Sequence, residues 1–401
     1  MNGTPDTDPQ SEDAKETNAM AVALICEFNP FHNGHKYIIG EARRLTGEPV
    51  VAIMSGSFTQ RGEAAICSKF DRARMALENG ADLVVELPTV YAVAGAQRFA
   101  QGGVEIAKSF GEVRWLAFGC ECSDGSVLQE AADALQNPAV NARIAAQMRG
   151  GAYYPQAVER AVRSVCGDAA ADALTSPNNI LAAEYLRALG GSDIRPLPVR
   201  RIGAAHDSDE VSGSYVSASK LRSMLRTGVA VDGLLPEVPQ EITYPDLLER
   251  ALLLRLRSMT AADFQKLPEV GEGLEHRIAA AVAENCSVEE ILSAVKTKRY
   301  THARLRRILC CAALGITEEL QSRRASYVRV LGFTGAGSLL LKSCTAEVVT
   351  SAAKTLRAGG ANVDFLRRDI LASDLAALAY DRVKPCGLDF YTKIIRLNRA
   401  E

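Results

Sequence analysis

The sequence lacks the features that would place it in a membrane or an oxidising compartment. No apolar run approaches the roughly 18 residues of a spanning helix, so no transmembrane segment is expected. The ten cysteines have no regular spacing and form no Cys-x-x-Cys pair, which argues against structural zinc and against a disulfide framework. A reduced, cytoplasmic setting follows. An excess of one charge is also missing. The formal net charge of −2 over 401 residues gives no global signature of nucleic-acid binding, so any basic surface has to be local. Residues 1–19 hold five acids against one lysine, without the basic start or apolar stretch of a secretory leader, and are expected to be a disordered tail.

What is present is a hydrophobic fraction of 47% in a chain long enough for two compact units. Short apolar runs at 21–26, 50–54, 83–87 and 115–118 alternate with helical periodicity at 35–45, 69–79 and 97–110. Continuous apolar strands separated by helices predict a parallel sheet covered on both faces, an α/β fold of Rossmann-like type. A fifth strand is expected at 194–199 and a polar, glycine-containing loop at 203–214. From 217 onwards the pattern is mainly helical, with helices expected at 245–259, 274–284, 288–295, 301–314, 346–357 and 372–380 and a weaker strand at 326–333. Pro236, Pro239 and Pro245 interrupt the periodicity, which places a catalytic domain at 20–235 and a mainly helical domain at 236–401.

Open parallel sheets bind ligands beyond the carboxyl ends of their strands. Behind the first strand stands Glu27-Phe28-Asn29-Pro30-Phe31-His32-Asn33-Gly34-His35, leading into a helix. Two imidazoles three residues apart at a helix start can project towards one side, where exposed N–H groups and the positive dipole end favour an anion. Gly34 carries no Cβ and lets a nucleotide lie close to the backbone. Neutral imidazole can donate N–H to a phosphate oxygen as its charge grows. This His-x-Gly-His turn is the signature of nucleotidyl-transferring enzymes, which need no covalent enzyme intermediate.

Supporting segments follow. Residues 55–63, SGSFTQRGE, read as a flexible lid whose Arg61 can cover an anion, with Lys69 at the next helix start. Gly119 ends the fourth strand, the Asn178 and Asn179 amides can read an adenine edge, and Arg200-Arg201 can pair with phosphates. Ser217-Ala218-Ser219-Lys220-Leu221-Arg222 opens a helix with hydroxyls and cations, as a second phosphate site would. Nine basic residues lie between 296 and 329: Lys296, Lys298, Arg299, Arg304, Arg306, Arg307, Arg323, Arg324 and Arg329. Within the stretch only Glu318 and Glu319 oppose them, and Tyr300 and His302 are near for stacking, a footprint suited to a folded RNA.

The chain resembles the bacterial tRNA(Met) cytidine acetate ligases through EFNPFHNGH (27–35), MSGSFTQRGE (54–63), GADLVVELP (80–88), SPNNIL (176–181), SASKLR (217–222) and KRYTHARLRR (298–307). These motifs cover most of the chain from 20 to about 333, and the second and third are more specific than the His-x-Gly-His turn. The resemblance implies a nucleotidyltransferase-type sheet with a mainly helical, tRNA-binding C-terminal domain. It also implies that acetate and ATP, with magnesium, give acetyl-adenylate. The acetyl group would then pass to N4 of the wobble cytidine in elongator tRNA(Met).

By the same resemblance the ATP-binding segment is Ile25, Cys26, Glu27, Phe28, Asn29, Pro30, Phe31, His32, Asn33, Gly34, His35, Lys36, Tyr37 and Ile38, with further contacts at Gly119, Asn178 and Arg201. His32 and His35 would stabilise charge at the α- and β-phosphates, and Ser219 would lie near the terminal phosphates. Two positions depart from the family pattern: Phe28 stands where a tyrosine is usual, and Ala64 where a proline often follows the glutamate. Two other readings compete: a small-molecule adenylyl- or cytidylyltransferase without RNA, and a non-catalytic RNA-binding protein.

Overall fold

Six-residue runs such as AVALIC and VVAIMS have no polar side chain to hold them at a surface, and both are wholly buried strands, β1 (Ala21–Cys26) and β2 (Val50–Ser55). The computed structural model describes residues 20–121, 125–149, 152, 154–200, 215–297 and 299–398. The tail 1–19, the expected loop at 203–214, Arg201 and Lys298 lie outside the described residues. With β3 (Leu83–Leu87), β4 (Val113–Cys120) and β5 (Arg195–Arg200), the first two strands form a parallel sheet of order β5-β4-β1-β2-β3. The chain leaves β1 towards β2 on one side and returns through β4 on the other. The carboxyl ends of β1 and β4 therefore flank the crevice where such sheets take their ligands.

Side chains alternate across the sheet as a period of two requires. Val22, Leu24 and Met54 face helices α1 (Asn33–Thr46) and α2 (Lys69–Glu78) in one core with Phe31 and Ile39. Ala23, Ile25 and Ile53 face α3 (Ala96–Ser109) and α4 (Pro177–Leu189) in the other, with Phe99, Phe118 and Tyr185. Truncating a buried phenylalanine such as Phe31 or Phe99 to alanine costs about 3–5 kcal/mol. β5, sequence RPLPVR, is an edge strand of the sheet. Pro196 and Pro198 lack the N–H that a central strand would need.

Beyond the crevice the chain forms α5 (Ala218–Arg226) and a helical layer over Glu249–Arg257, Leu274–Glu284, Val288–Val295 and α6 (His302–Leu314). It then returns to the sheet. The weak strand signal at 326–333 is β6 (Tyr327–Thr334), antiparallel to β3 with Leu83 opposite Phe333 and Glu86 opposite Arg329. The helix expected at 346–357 opens instead as β7 (Glu347–Val349), with helix only over Ala352–Ala358, because the adjacent valines 348 and 349 suit a pleated edge. The helix expected at 372–380 begins earlier, as α7 (Val363–Ala376), and β8 (Ile395–Leu397) pairs with β6. Strands from beyond residue 236 thus complete the same sheet. Among the described residues no helix is long and apolar enough to cross a membrane, and nine cysteines are free thiols.

Candidate functional site

At the carboxyl ends of β1 and β4 lies a cleft of about 300 Å³, at the lower end of the range for small-molecule sites. Its rim is the turn after β1. Phe28 takes a positive φ of 50° and Asn29–Pro30 is a cis peptide, which turns the chain sharply towards α1. The turn is anchored from below. The Phe28 and Phe31 rings meet edge-to-face at 4.9 Å, both are buried, and Phe28 also meets the His35 ring at 4.9 Å. Asn29 Oδ1 accepts the Ile66 N–H at 2.7 Å, and the Asn29 carbonyl accepts from Arg222 at 2.8 Å.

Helix α1 begins two residues earlier than its periodicity predicts, because His32 itself is the N-cap. His32 Nδ1 accepts the Gly34 N–H at 3.0 Å, and His35 Nδ1 accepts the His32 N–H at 3.3 Å, a reciprocal capping box built from two imidazoles. The rings stack with centroids 3.8 Å apart and planes 23° from parallel. An Nδ1 that accepts a backbone N–H cannot carry a proton, so each neutral ring keeps its hydrogen on Nε2 as a donor. Gly34 has a nearer reason for lacking a side chain than the approach of a nucleotide. A Cβ there would lie 2.9 Å from His32 Cε1, displacing the ring that folds back over it.

Of the resemblance-implied segment, Ile25, Cys26, Glu27, Phe28, Asn29, His32, Gly34, His35, Tyr37 and Ile38 line the cleft. Pro30 and Phe31 are buried beneath the turn, Lys36 is exposed on α1, and Asn33 donates to the Gly233 carbonyl at 2.8 Å; these four do not line it. Gly119 and Asn178 line the opposite wall, where Asn178 Nδ2 donates to Glu121 at 2.7 Å. Its neighbour Asn179 is buried and accepts the Glu121 N–H at 3.0 Å. Ser219, at the start of α5, lies between two guanidiniums, Arg222 at 3.1 Å and Arg61 at 3.4 Å. Burial holds the Arg222 pKa below the usual arginine range, and Arg61 beside it pushes the same way. Two cations and a helix N-terminus give this corner a chemistry suited to an anion.

The segment after β2 is no loose lid. Ser57, Phe58 and Thr59 are buried, and Ser57 Oγ meets Ser373 Oγ of α7 at 3.1 Å. Gly62, at φ 74°, presses on the backbone of α6, where a Cβ would stand 2.8 Å from Arg306 and Arg307 main-chain atoms. The Gln60 N–H donates to Glu27 Oε1 at 2.7 Å. Burial raises the Glu27 carboxyl pKa, against the pull of that hydrogen bond and of Arg222, Arg61 and Arg72.

Lys69 lies away from the cleft. It is wholly buried, 2.8 Å from both Glu86 oxygens and 2.7 Å from Asp389, with Arg329 on the same two carboxylates at 3.3 and 2.7 Å. The basic stretch at 296–329 is likewise not an open cationic face. Arg307 pairs with Glu269 at 3.0 Å, and Arg304 donates to the Glu269 carbonyl and covers the Tyr300 ring at 5.0 Å. Arg306 pairs with Glu63 at 2.9 Å, Arg323 with Asp364 at 3.1 Å, Arg299 with Glu272 and Arg324 with Glu105. Sequence counting found only Glu318 and Glu319 in opposition; folding brings the other acids from outside the window.

Sequence reasoning missed the cleft's apolar floor. Phe99 of α3, Phe118 of β4 and Leu181 and Tyr185 of α4 line it, with Phe118 and Tyr185 rings 5.9 Å apart. The signal was present as spacing: residues 178, 181 and 185 share one face of a helix.

The geometry agrees with three comparisons. The HIGH Nucleotidyl Transferase family model matches residues 19–387. A protein named tRNA(Met) cytidine acetate ligase from Clostridium kluyveri is 35% identical over 355 residues, 80% of this chain and 86% of its own. One of the same name from a Thermoanaerobacter species is 34% identical over 401 residues, 94% of this chain and 99% of its own. The crystal structure of Thermotoga maritima TmcAL superposes with a TM-score of 0.86 at 28% identity, covering 95% of this chain and all of that one. The same protein bound with alpha-thio ATP gives 0.85 at 29% with the same coverage. A cleft rimmed by a His-x-Gly-His turn, a family model matched over residues 19–387 and relatives 34–35% identical over 80–94% of the chain make it a member of the HIGH nucleotidyl transferase family and, within it, of the tRNA(Met) cytidine acetate ligases.

Proposed function

We propose that the protein joins ATP and acetate into acetyl-adenylate and transfers the acetyl group to N4 of the wobble cytidine of elongator tRNA(Met). The observation that carries this reading is the stacked His32–His35 pair, whose Nδ1 atoms are both occupied by backbone N–H groups. Both rings line the cleft with their orientation fixed by the turn, and the hydrogen of each neutral ring is left to Nε2, which suits electrostatic stabilisation of a phosphoryl transition state.

In the first step an acetate oxygen attacks the α-phosphorus and the bond to the bridging oxygen breaks, releasing pyrophosphate. The imidazoles bear on the α- and β-phosphates, and the Ser219 corner with Arg61 and Arg222 receives the departing anion. The main chain at Gly119 and the Asn178 amide bound the side left for the nucleoside, with Arg201 joining them by family resemblance. Magnesium is expected with ATP, held largely by phosphate oxygens and water; among the described residues no three His, Cys, Asp or Glu side chains group to hold a metal. In the second step the activated acetyl group compensates for the weak nucleophilicity of the cytosine amine. No enzyme thioester is needed, and the Cys26 thiol is unsuited to one because burial pushes its pKa well up. A cytoplasmic setting, where tRNA is modified, fits the free thiols.

The test incubates the protein with ATP, labelled acetate and bulk tRNA. Label is expected in cytidine of tRNA, and its loss is expected in His32→Ala and His35→Ala. Label in a small metabolite instead would select the RNA-independent reading. No pyrophosphate release with any substrate would defeat both enzymatic readings.

A further inference from the structure

Acyl transfer raises a requirement that adenylation does not. Acetate attacks as an anion, whereas the cytosine amine attacks neutral and must lose a proton as its bond to carbon forms. Among the described residues the cleft holds few groups able to take that proton. The imidazoles of His32 and His35 have their acceptor nitrogens filled by main-chain N–H groups. Glu63 is paired with Arg306 at 2.9 Å. The Cys26 thiol donates to the Ile53 carbonyl at 3.6 Å.

Glu27 remains. It stands at the carboxyl end of β1, lines the cleft, and has one oxygen held by the Gln60 N–H at 2.7 Å. A second, independent feature adjoins it. Gln60 also lines the cleft, and its side-chain Nε2 is buried with no acceptor among the described residues. Leaving such a donor unpaired costs about 1–3 kcal/mol, which a ligand acceptor would recover. An acceptor carboxylate beside an amide donor is complementary to the edge of cytosine, where the N4 amine donates and ring N3 accepts. Because Glu27 holds the Gln60 main chain, the two sit together by construction of the turn.

We propose that Glu27 accepts the N4 proton of the target cytosine during acyl transfer, while Gln60 Nε2 donates to ring N3 of the same base. The N4 lone pair forms the bond to the acetyl carbonyl carbon, the bond from that carbon to the AMP oxygen breaks, and the electron pair leaves on AMP. The proton passes to the Glu27 carboxylate and from there to solvent. Burial makes this carboxylate a stronger base than an exposed one. The proposal rests on the acetate-ligase reading and adds the residue that separates its two steps.

The test is Glu27→Gln, measured in both half-reactions. The amide oxygen can still accept the Gln60 N–H, so the turn is retained while the basic oxygen is lost. Single-turnover transfer from preformed enzyme-bound acetyl-adenylate to tRNA is expected to fall about 100-fold or more, with its rise with pH flattened. Acetate-dependent ATP–pyrophosphate exchange is expected to fall by less than about 10-fold, which also reports a folded site. Gln60→Leu is expected to lose transfer preferentially but by less. Equal losses in both half-reactions for Glu27→Gln, or unimpaired transfer, would overturn the proposal. Absence of acetate-dependent exchange in the unsubstituted protein would overturn the ligase reading itself, and is told apart because no variant is needed to see it.

Discussion

Replacing Lys69 by methionine (Lys69→Met) separates a structural lysine from a substrate-binding one. Its ammonium lies among Glu86 and Asp389 with no side-chain exposure on any of the three. Arg329 is the second cation of the cluster, and Asp369 is a further buried carboxylate acting on Glu86. Two cations thus face three carboxylates. Burial first, and then the neighbouring acids against the pull of Lys69 and Arg329, push the Glu86 pKa from 4.5 up to about 7.

Removing one member of a buried ion pair costs about 3–5 kcal/mol. Methionine keeps most of the volume, so the loss is chiefly electrostatic. The sign with pH follows from the direction of the shift. A carboxyl whose folded pKa is raised binds its proton more tightly when folded, so its contribution is present below pH 4.5 and is lost as pH rises towards 7. That loss amounts to about 3 kcal/mol. Without Lys69 the carboxyl is raised further, and the falling window extends above pH 7. Urea unfolding should therefore show a larger penalty for Lys69→Met at pH 8 than at pH 5. An equal penalty at both, or a raised KM for ATP at unchanged stability, would refute the assignment.

Three further outcomes are expected. His35→Ala removes one fixed donor and should lower acetate-dependent ATP–pyrophosphate exchange about 10²–10³-fold, far more than the loss of about 0.5–2 kcal/mol expected in urea unfolding from the broken capping box accounts for. Gly62→Ala combines a φ of 74° with a Cβ 2.8 Å from the α6 main chain; it should cost roughly 1–3 kcal/mol in urea unfolding and depress both half-reactions by shifting Arg61. Arg307→Glu sets like charges together at Glu269 and should destabilise by roughly 1–3 kcal/mol; a selective loss of tRNA affinity at unchanged stability would contradict that role.

The parts of the structure legible in the sequence are those decided locally. AVALIC, VVAIMS and LVVEL have one physical option, a buried strand, and the helices between them follow from periodicity. The His-x-Gly-His turn is legible because two imidazoles and a glycine at a strand-to-helix junction have few other uses. What could not be read depends on partners far away in sequence. The charge of residues 296–329 looks uncompensated until Glu63, Glu105, Glu269, Glu272 and Asp364 arrive by folding. Lys69 at a helix start looks like a phosphate ligand until Asp389, 320 residues later, closes over it. The Arg61 loop reads as flexible by composition, yet Gly62 is there because α6 leaves no room for a side chain.

These long-range partners also bear on how the halves of the chain cooperate. β3 would be an edge strand if the sheet ended where its parallel part ends, with unpaired main-chain groups along LVVEL. β6 removes that edge, and the pairing sets Glu86 opposite Arg329. The same carboxylate closes on Gly56, where a Cβ would lie 2.1 Å from Glu86 Oε1, and Gly56 begins the loop that delivers Gln60 and Arg61 to the cleft. A sheet strand from the C-terminal half, a buried charge cluster and the substrate-facing loop are therefore in direct mechanical series. Ser57 on Ser373 and Gly62 on α6 add two more ties between that loop and the C-terminal half. The geometry of the cleft consequently depends on residues beyond 236 although, among the described residues, none of them lines it, and substitutions at the β3–β6 border should register in the chemistry as well as in stability.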